Sequence, residues 1–270
     1  MVTTGCYILM QNPLTNNYPY LECVNCMLDI FDEVLIVDGG TTDGSFDLLP
    51  KDNRIKIKQC LWAEDASWNF LTQQYDFGLQ NLTTDWRVKI DADYIFHEND
   101  IDSIKKIFQE HQDEIGVCFE KSCFILSDRY RSKSKILLAV NYKLKPDFHW
   151  NTNDELIADK LYDIGNTFKS GIRLYVYDRC FQTKENIGNV MQKLAIAAKE
   201  HGYNWGYGTK QDAIDFIISS GISRVDSHQQ SVLGLGEHPK YIQEKIKNMT
   251  DDMLGYSLFG HKKARYFEKN

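Results

Sequence analysis

The sequence predicts an α/β protein: a mostly parallel central sheet flanked by helices, with a C-terminal extension. Three observations carry that prediction. Short apolar runs of strand length alternate with stretches of helical spacing over the first 110 residues, a pattern that builds parallel, doubly wound sheets. Two of these runs end abruptly in aspartate, at Asp38 and at Asp91. The composition, 43% hydrophobic and 13% aromatic over 270 residues, supplies a sizeable core.

Taken in order, Cys6 to Met10 is apolar and reads as a buried strand, broken by Pro13 and Asn16-Asn17. Tyr20 to Phe31 carries Leu21, Val24, Met27, Leu28 and Phe31 at helical spacing. Val34 to Val37 is too apolar for a half-exposed strand. Gly39 and Gly40 then free the backbone to turn, and Thr42 or Asp43 is placed to cap a short helix through Leu49. Arg54 to Gln59 alternates as a strand with one wet face, Ser67 to Leu82 is helical, and Val88 and Ile90 bring a further strand to Asp91. Asn99 to Phe108 is a helix capped by Asn99 or Asp100.

Beyond Gly116 the pattern loosens. Strands are expected over Val117 to Leu126, Ile136 to Leu144 and Ile172 to Tyr177, as a mixed extension of the sheet. Helices are expected over Asp154 to Ile164, Ile187 to His201, Asp212 to Ser219 and Pro239 to Met249, with Pro239 in the first turn. Gly202 to Gly208 is an aromatic, glycine-rich loop in which Trp205 could stack on a sugar or sit in the core.

A net charge of −7 argues against a sequence-independent nucleic-acid binder. Seven cysteines, an odd number, include one CxxC, Cys23 and Cys26, inside an apolar helical pattern and without a second pair. Buried thiols and a reducing compartment are the expectation. No basic leader precedes a long apolar run, and no stretch approaches the roughly 18 apolar residues of a membrane span. The expected location is the cytoplasm.

Asp91 and Asp93 offer two hard oxygen ligands to one divalent cation, and a cation there is suited to gripping a diphosphate. The plainer reading is that one caps the next turn and the other is solvated. Asp38 can accept hydrogen bonds from a base or ribose, or it can simply form the turn ahead of Gly39-Gly40. Both junctions fall at strand carboxyl ends, where ligands bind in such sheets.

As a set, the residues resemble family 2-type glycosyltransferases of the GT-A (Rossmann-like) fold. Val34 to Ser45, VLIVDGGTTDGS, resembles the family's "IVVDGGSTDGT". Asp85 through Asp93 resembles "GDWVLFLDAD", with its DxD metal motif. Trp62 to Asp65 and the helix reaching Leu79 resemble the "W…D…ARN.AL" region. The resemblance covers roughly residues 1–115. It implies a nucleotide-sugar-binding half at 1–115 and an acceptor-binding half with a C-terminal extension at 116–270, in one continuous domain. It further implies metal-dependent, inverting transfer of a sugar from a nucleotide-diphospho-sugar, UDP-linked in most of the family, to a glycan or other hydroxyl acceptor.

By this resemblance Asp38, Gly39, Asp43, Asp65 and Asp91 bind the nucleotide sugar, and Asp93 with Asp91 holds Mn2+ or Mg2+. Asp154 and Glu155 resemble the family's acidic pair at a helix start and are candidate bases, as is Glu185. As N-cap and first-turn acids they have an equally simple structural explanation. His238 is a candidate third metal ligand, and its plainer reading is a surface or helix-start histidine. Two departures stand out: Tyr75 and Asp76 occupy positions where the family often carries a cation, and Tyr94 stands where a further acid follows DxD.

Other readings are a sugar-1-phosphate nucleotidyltransferase, a non-catalytic nucleotide-sugar or glycan-binding module, and a scaffold. The first lacks its glycine-rich basic loop, since Met10 leads into Gln11-Asn12-Pro13.

Overall fold

The computed structural model describes residues 2–62, 68–126, 129–150, 166–177, 180–181, 231–232 and 234–249, with residues 186, 188, 209–212, 214 and 215. Its elements are β1 (Thr4–Met10), α1 (Tyr20–Ile30), β2 (Glu33–Asp38), β3 (Ile55–Gln59), α2 (Trp68–Asn81), β4 (Trp86–Asp91), β5 (Tyr94–Phe96), α3 (Ile101–Glu110), β6 (Gly116–Leu126), β7 (Arg129–Asn141), β8 (Thr167–Val176), β9 (Ser231–Val232) and α4 (Lys240–Lys247).

One sheet runs in the order β3-β2-β1-β4-β7-β6-β8-β5, with β9 on β7. The strands β3, β2, β1 and β4 are mutually parallel. Beyond β4 the sheet is mixed: β7 is antiparallel to β4 and β6, β6 is parallel to β8, and β5 is antiparallel to β8. Of the parallel strands β1, β2 and β4 are largely buried, while β3 at the edge is exposed over residues 56–59. All six residues of β2 are buried.

Alternate residues serve opposite faces. Cys6, Ile8, Met10, Val34, Ile36, Val88 and Ile90 pack with residues of α1, α3 and α4, while Tyr7, Leu35 and Val37 pack with Leu79 of α2 and with Phe148 and Trp150. Each Val, Leu or Ile buried this way contributes roughly 1.5–3 kcal/mol. Gly78 lets α2 approach the sheet, because a Cβ there would lie 2.2 Å from Tyr7 Cδ2.

The two-residue link Ala92-Asp93 joins β4 to β5, yet these strands lie four places apart in the sheet order. Four flat ladder steps span about 19 Å at about 4.8 Å each. The three residue steps from Asp91 to Tyr94 reach at most about 11 Å. The sheet therefore curls until its far edge returns beside β4.

Several expectations shift. The expected short helix through Leu49 is a single 3-10 turn, Ser45–Leu48, entered through Gly44 at φ 76°. At the start of α3, Asn99 N donates to His97 Nδ1 at 3.2 Å within a 3-10 turn, and Asp100 takes the N-cap position of the helix as expected but without a side-chain capping hydrogen bond. β7 ends at Asn141 because the chain turns there, Leu144 N donating to Asn141 O at 3.1 Å. β8 starts before Ile172, because Gly116–Cys118 pairs with Thr167–Lys169. Pro239 precedes α4 as its N-cap instead of opening the helix. The strands β5 and β9 were not expected. The expected helix at 154–164, all but residue 188 of that at 187–201, most of that at 212–219 and the loop at 202–208 lie outside the described residues.

Candidate active site

Asp38 and Asp91 end the two neighbours of β1, opposite Met10 and Leu9. They flank one strand at one edge of the sheet, about 10 Å apart by strand spacing. The chain moves from β1 outward to β2 and β3 on one side and to β4 on the other. That divergence is where open α/β sheets form a crevice.

Asp38 is 7% exposed, and its Oδ1 accepts from Gly40 N at 2.9 Å and Thr41 N at 2.7 Å. It thus shapes the turn that follows it. A carboxylate keeps acceptor capacity beyond two such bonds. Gly39 is required for a different reason than freedom to turn: a Cβ there would lie 2.3 Å from Trp62 Cδ1. The carbonyl of Gly39 accepts from Trp62 N at 3.0 Å and Gln11 Nε2 at 3.1 Å.

Asp43 fixes the same loop from outside, its carboxylate accepting from Thr15 N at 2.9 Å and Ser45 N at 3.1 Å. Burial pulls this carboxyl upward, but those hydrogen bonds outweigh it and hold the carboxyl below its ordinary value. Asn12, at φ 47°, accepts with its Oδ1 from Thr42 N at 2.7 Å.

At the second junction the side chain of Asp91 is 28% exposed and Asp93 is 5% exposed. Beneath them lies Cys23 of α1, whose thiol donates to Asp91 O at 3.5 Å. Burial, then the neighbouring Cys26, Cys6, Asp93 and Asp91, push that thiol well above its ordinary range. The CxxC is therefore structural: Cys26 Sγ accepts from Phe96 N at 3.3 Å, and both thiols are buried. Lys89 lies two residues before Asp91 on the same strand face, with Nζ 3.8 Å from Asp91 Oδ1 and 4.0 Å from the Tyr75 ring centroid.

His238 is neither on the surface nor solvated. It is fully buried, with Nδ1 2.8 Å from Tyr177 Oη and its ring 5.1 Å from that of Phe124. Tyr177 N donates to Asp93 O at 3.1 Å, so one tyrosine joins His238 to the DxD turn. Among the described residues no group of three or more His, Cys, Asp and Glu side chains is placed to hold a metal ion. Two strand-end carboxylates fit a cation that completes its shell with water and diphosphate oxygens, as Mg2+ sites commonly do, and do not fit an all-protein cage.

Asp65, Asp154, Glu155 and Glu185 lie outside the described residues. Three residues at the site were not singled out by the sequence: Lys89, Trp62 as the cover of Gly39, and Tyr177. Among the described residues no helix is long and apolar enough to cross a membrane.

No model of a protein family matches the chain. Its sequence is similar to the SPbeta prophage-derived glycosyltransferase SunS of Bacillus subtilis (strain 168) and to glycosyltransferase SunS of Bacillus phage SPbeta. Both are 22% identical over 191 residues, 68% of this chain and 41% of the relative. The chain thus spans about two fifths of the length of the curated relatives it matches. Among solved structures it is similar to S. aureus TarS 1–349 in complex with UDP-GlcNAc, with a TM-score of 0.49, 13% identity, and coverage of 83% of this chain and 81% of that one. It is also similar to mannosyltransferase PcManGT from Pyrobaculum calidifontis in complex with GDP-Man and Mn2+, with a TM-score of 0.46, 13% identity, and coverage of 82% and 71%.

Proposed function

We propose that this chain is a glycosyltransferase. It takes a nucleotide-diphospho-sugar, UDP-linked, and delivers the sugar to a glycan or other hydroxyl acceptor with inversion. The observation that carries the reading is the arrangement of Asp38 and the Asp91–Asp93 turn at the carboxyl ends of β2 and β4, on either side of β1. The sequence similarity to the SunS glycosyltransferases supports the same reaction class.

In this reading Asp38 accepts a hydrogen bond from the base through capacity its turn leaves over, and Asp43 keeps the loop in shape. Asp65 belongs to the same nucleotide-sugar site. Asp91 and Asp93 hold Mn2+ or Mg2+, whose shell is completed by water and diphosphate oxygens; His238, expected as a third ligand, is instead buried against Tyr177 and Phe124 and is left out of the set. Bound there, the cation supplies positive charge to offset that developing on the departing nucleoside diphosphate. Asp154, Glu155 or Glu185 takes the proton from the acceptor hydroxyl as it attacks the anomeric carbon. Burial of the DxD turn keeps Asp93 in a region of reduced dielectric, where its charge acts more strongly than in water. All seven cysteines are free thiols, which supports a cytoplasmic location.

The test is calorimetric titration of UDP, GDP, CDP and dTDP, each with and without Mn2+, on the protein and on Asp93→Ala. Metal-enhanced binding of UDP that Asp93→Ala abolishes is the expected result. Binding of none of the four nucleotides, or Mn2+-dependent UDP affinity that survives Asp93→Ala, overturns the site.

A further inference from the structure

Lys89 is the least expected charge in the molecule. It lies inside β4, its side chain is 1% exposed, and Val88 and Ile90 beside it are fully buried. An ammonium taken out of water costs several kcal/mol unless a compensating charge lies close by. The Asp91 carboxylate, at 3.8 Å, is such a charge, and the face of Tyr75 at 4.0 Å adds cation–π attraction. At 3.8 Å the ammonium and Oδ1 attract but are too far apart for a direct hydrogen bond.

Resting on the proposed function, we propose that Lys89 is a positioning residue that makes cation binding at the strand end depend on the nucleotide. Among the described residues, Asp91 and Asp93 bring carboxylates to the turn and Lys89 brings an ammonium to the same strand face. A divalent cation arriving alone at Asp91 meets a fixed positive charge a few ångströms away. A cation arriving with a nucleoside diphosphate brings phosphate oxygens of its own. The attraction between Lys89 and those oxygens then replaces what the cation takes from Asp91. The same ammonium thus opposes the bare metal and favours the metal–diphosphate pair, with Tyr75 holding it in place from below.

The opposite signs of these effects separate the proposal from a merely structural role, which would weaken both kinds of binding. Mn2+ alone is followed by electron paramagnetic resonance, and UDP with Mn2+ and uridine alone by calorimetry, on the protein and on Lys89→Met. Lys89→Met is expected to bind Mn2+ alone about tenfold tighter and UDP with Mn2+ about tenfold weaker. Uridine, which has no phosphate, is expected to bind both proteins equally and so reports that the base pocket is intact. Mn2+ affinity that is unchanged or lowered in Lys89→Met overturns the inference, whatever UDP does. Should Lys89→Met fail to fold, Lys89→Gln carries the same comparison. If the unaltered protein does not bind UDP with Mn2+, the proposed function falls first and this inference with it.

Discussion

Gly39→Ala tests the packing of the loop that precedes the crevice. The added Cβ would sit 2.3 Å from Trp62 Cδ1, 2.5 Å from Nε1 and 2.6 Å from Cγ. Ordinary carbon contacts lie at about 3.5–4.0 Å, so the ring must retreat by more than about 1 Å. The backbone cannot follow easily, because Trp62 N is bonded to Gly39 O at 3.0 Å and Gly39 N to Met10 O at 2.8 Å. Overpacking of this kind costs about 1–3 kcal/mol. At the middle of that range Tm falls by roughly 4–8 °C for a chain of this size. Thermal and urea unfolding, followed by circular dichroism, measure the loss. The same substitution in a Trp62→Ala background should cost close to nothing, because the ring that obstructs the Cβ is gone. UDP affinity should fall with Gly39→Ala, since the displaced ring borders the turn shaped by Asp38. A Gly39→Ala protein with unchanged Tm refutes the contact. A penalty that persists in the Trp62→Ala background refutes its cause.

Two further outcomes follow from groups outside the crevice. Burial alone would raise the Glu33 carboxyl, but Lys56 Nζ at 2.8 Å, Thr83 Oγ1 at 2.7 Å and Thr83 N at 3.0 Å outweigh it and hold the carboxyl below its ordinary 4.5. A depressed carboxyl stabilises fully above its unfolded value and loses that contribution as pH falls through its folded one. Glu33→Gln should therefore cost about 1–3 kcal/mol at neutral pH and progressively less in acid. A stability gap in urea that stays constant on acidification would count against this pairing. For the thiols, Cys60 and Cys123 are half-buried and the other five cysteines buried. Burial pushes Cys26 up to about 12 and Cys23 well above its ordinary range. A thiol reagent at mildly basic pH should label Cys60 and Cys123 first, and fast labelling of Cys23 or Cys26 would contradict the packing under the DxD turn.

β1 and β2 were legible because they are buried on both faces and therefore read as apolar runs, and the exposed β3 by its alternation of Ile55 and Ile57 with Lys56 and Lys58. Asp38 and Asp91 stood out as the abrupt ends of such runs. The strand β5 escaped notice because three residues, Tyr94–Phe96, carry no period. The first part of β7, Arg129 to Lys135, is polar and offers no apolar run to read, although it pairs with β6. Lys89 did leave a trace: a lysine at the centre of an apolar strand, two residues before an aspartate, has to share that aspartate's face. The link from His238 through Tyr177 to Asp93 left none, since it joins residues distant in sequence through a backbone bond and a ring nitrogen.

The curl that returns β5 beside β4 has a consequence for how the molecule is made. Among the described residues β5 finds its only ladder on β8, about 80 residues later in the chain. Asp93 sits in the clasp between β4 and β5, so its final position awaits the arrival of that distant strand. During synthesis, a chain grown only to the end of α3 already contains Asp38, Asp91 and Asp93 and the parallel strands β1 to β4, yet it has no partner for β5. The crevice is therefore closed from the far end of the sheet, and the residues that complete it are emitted long after those that would touch the nucleotide.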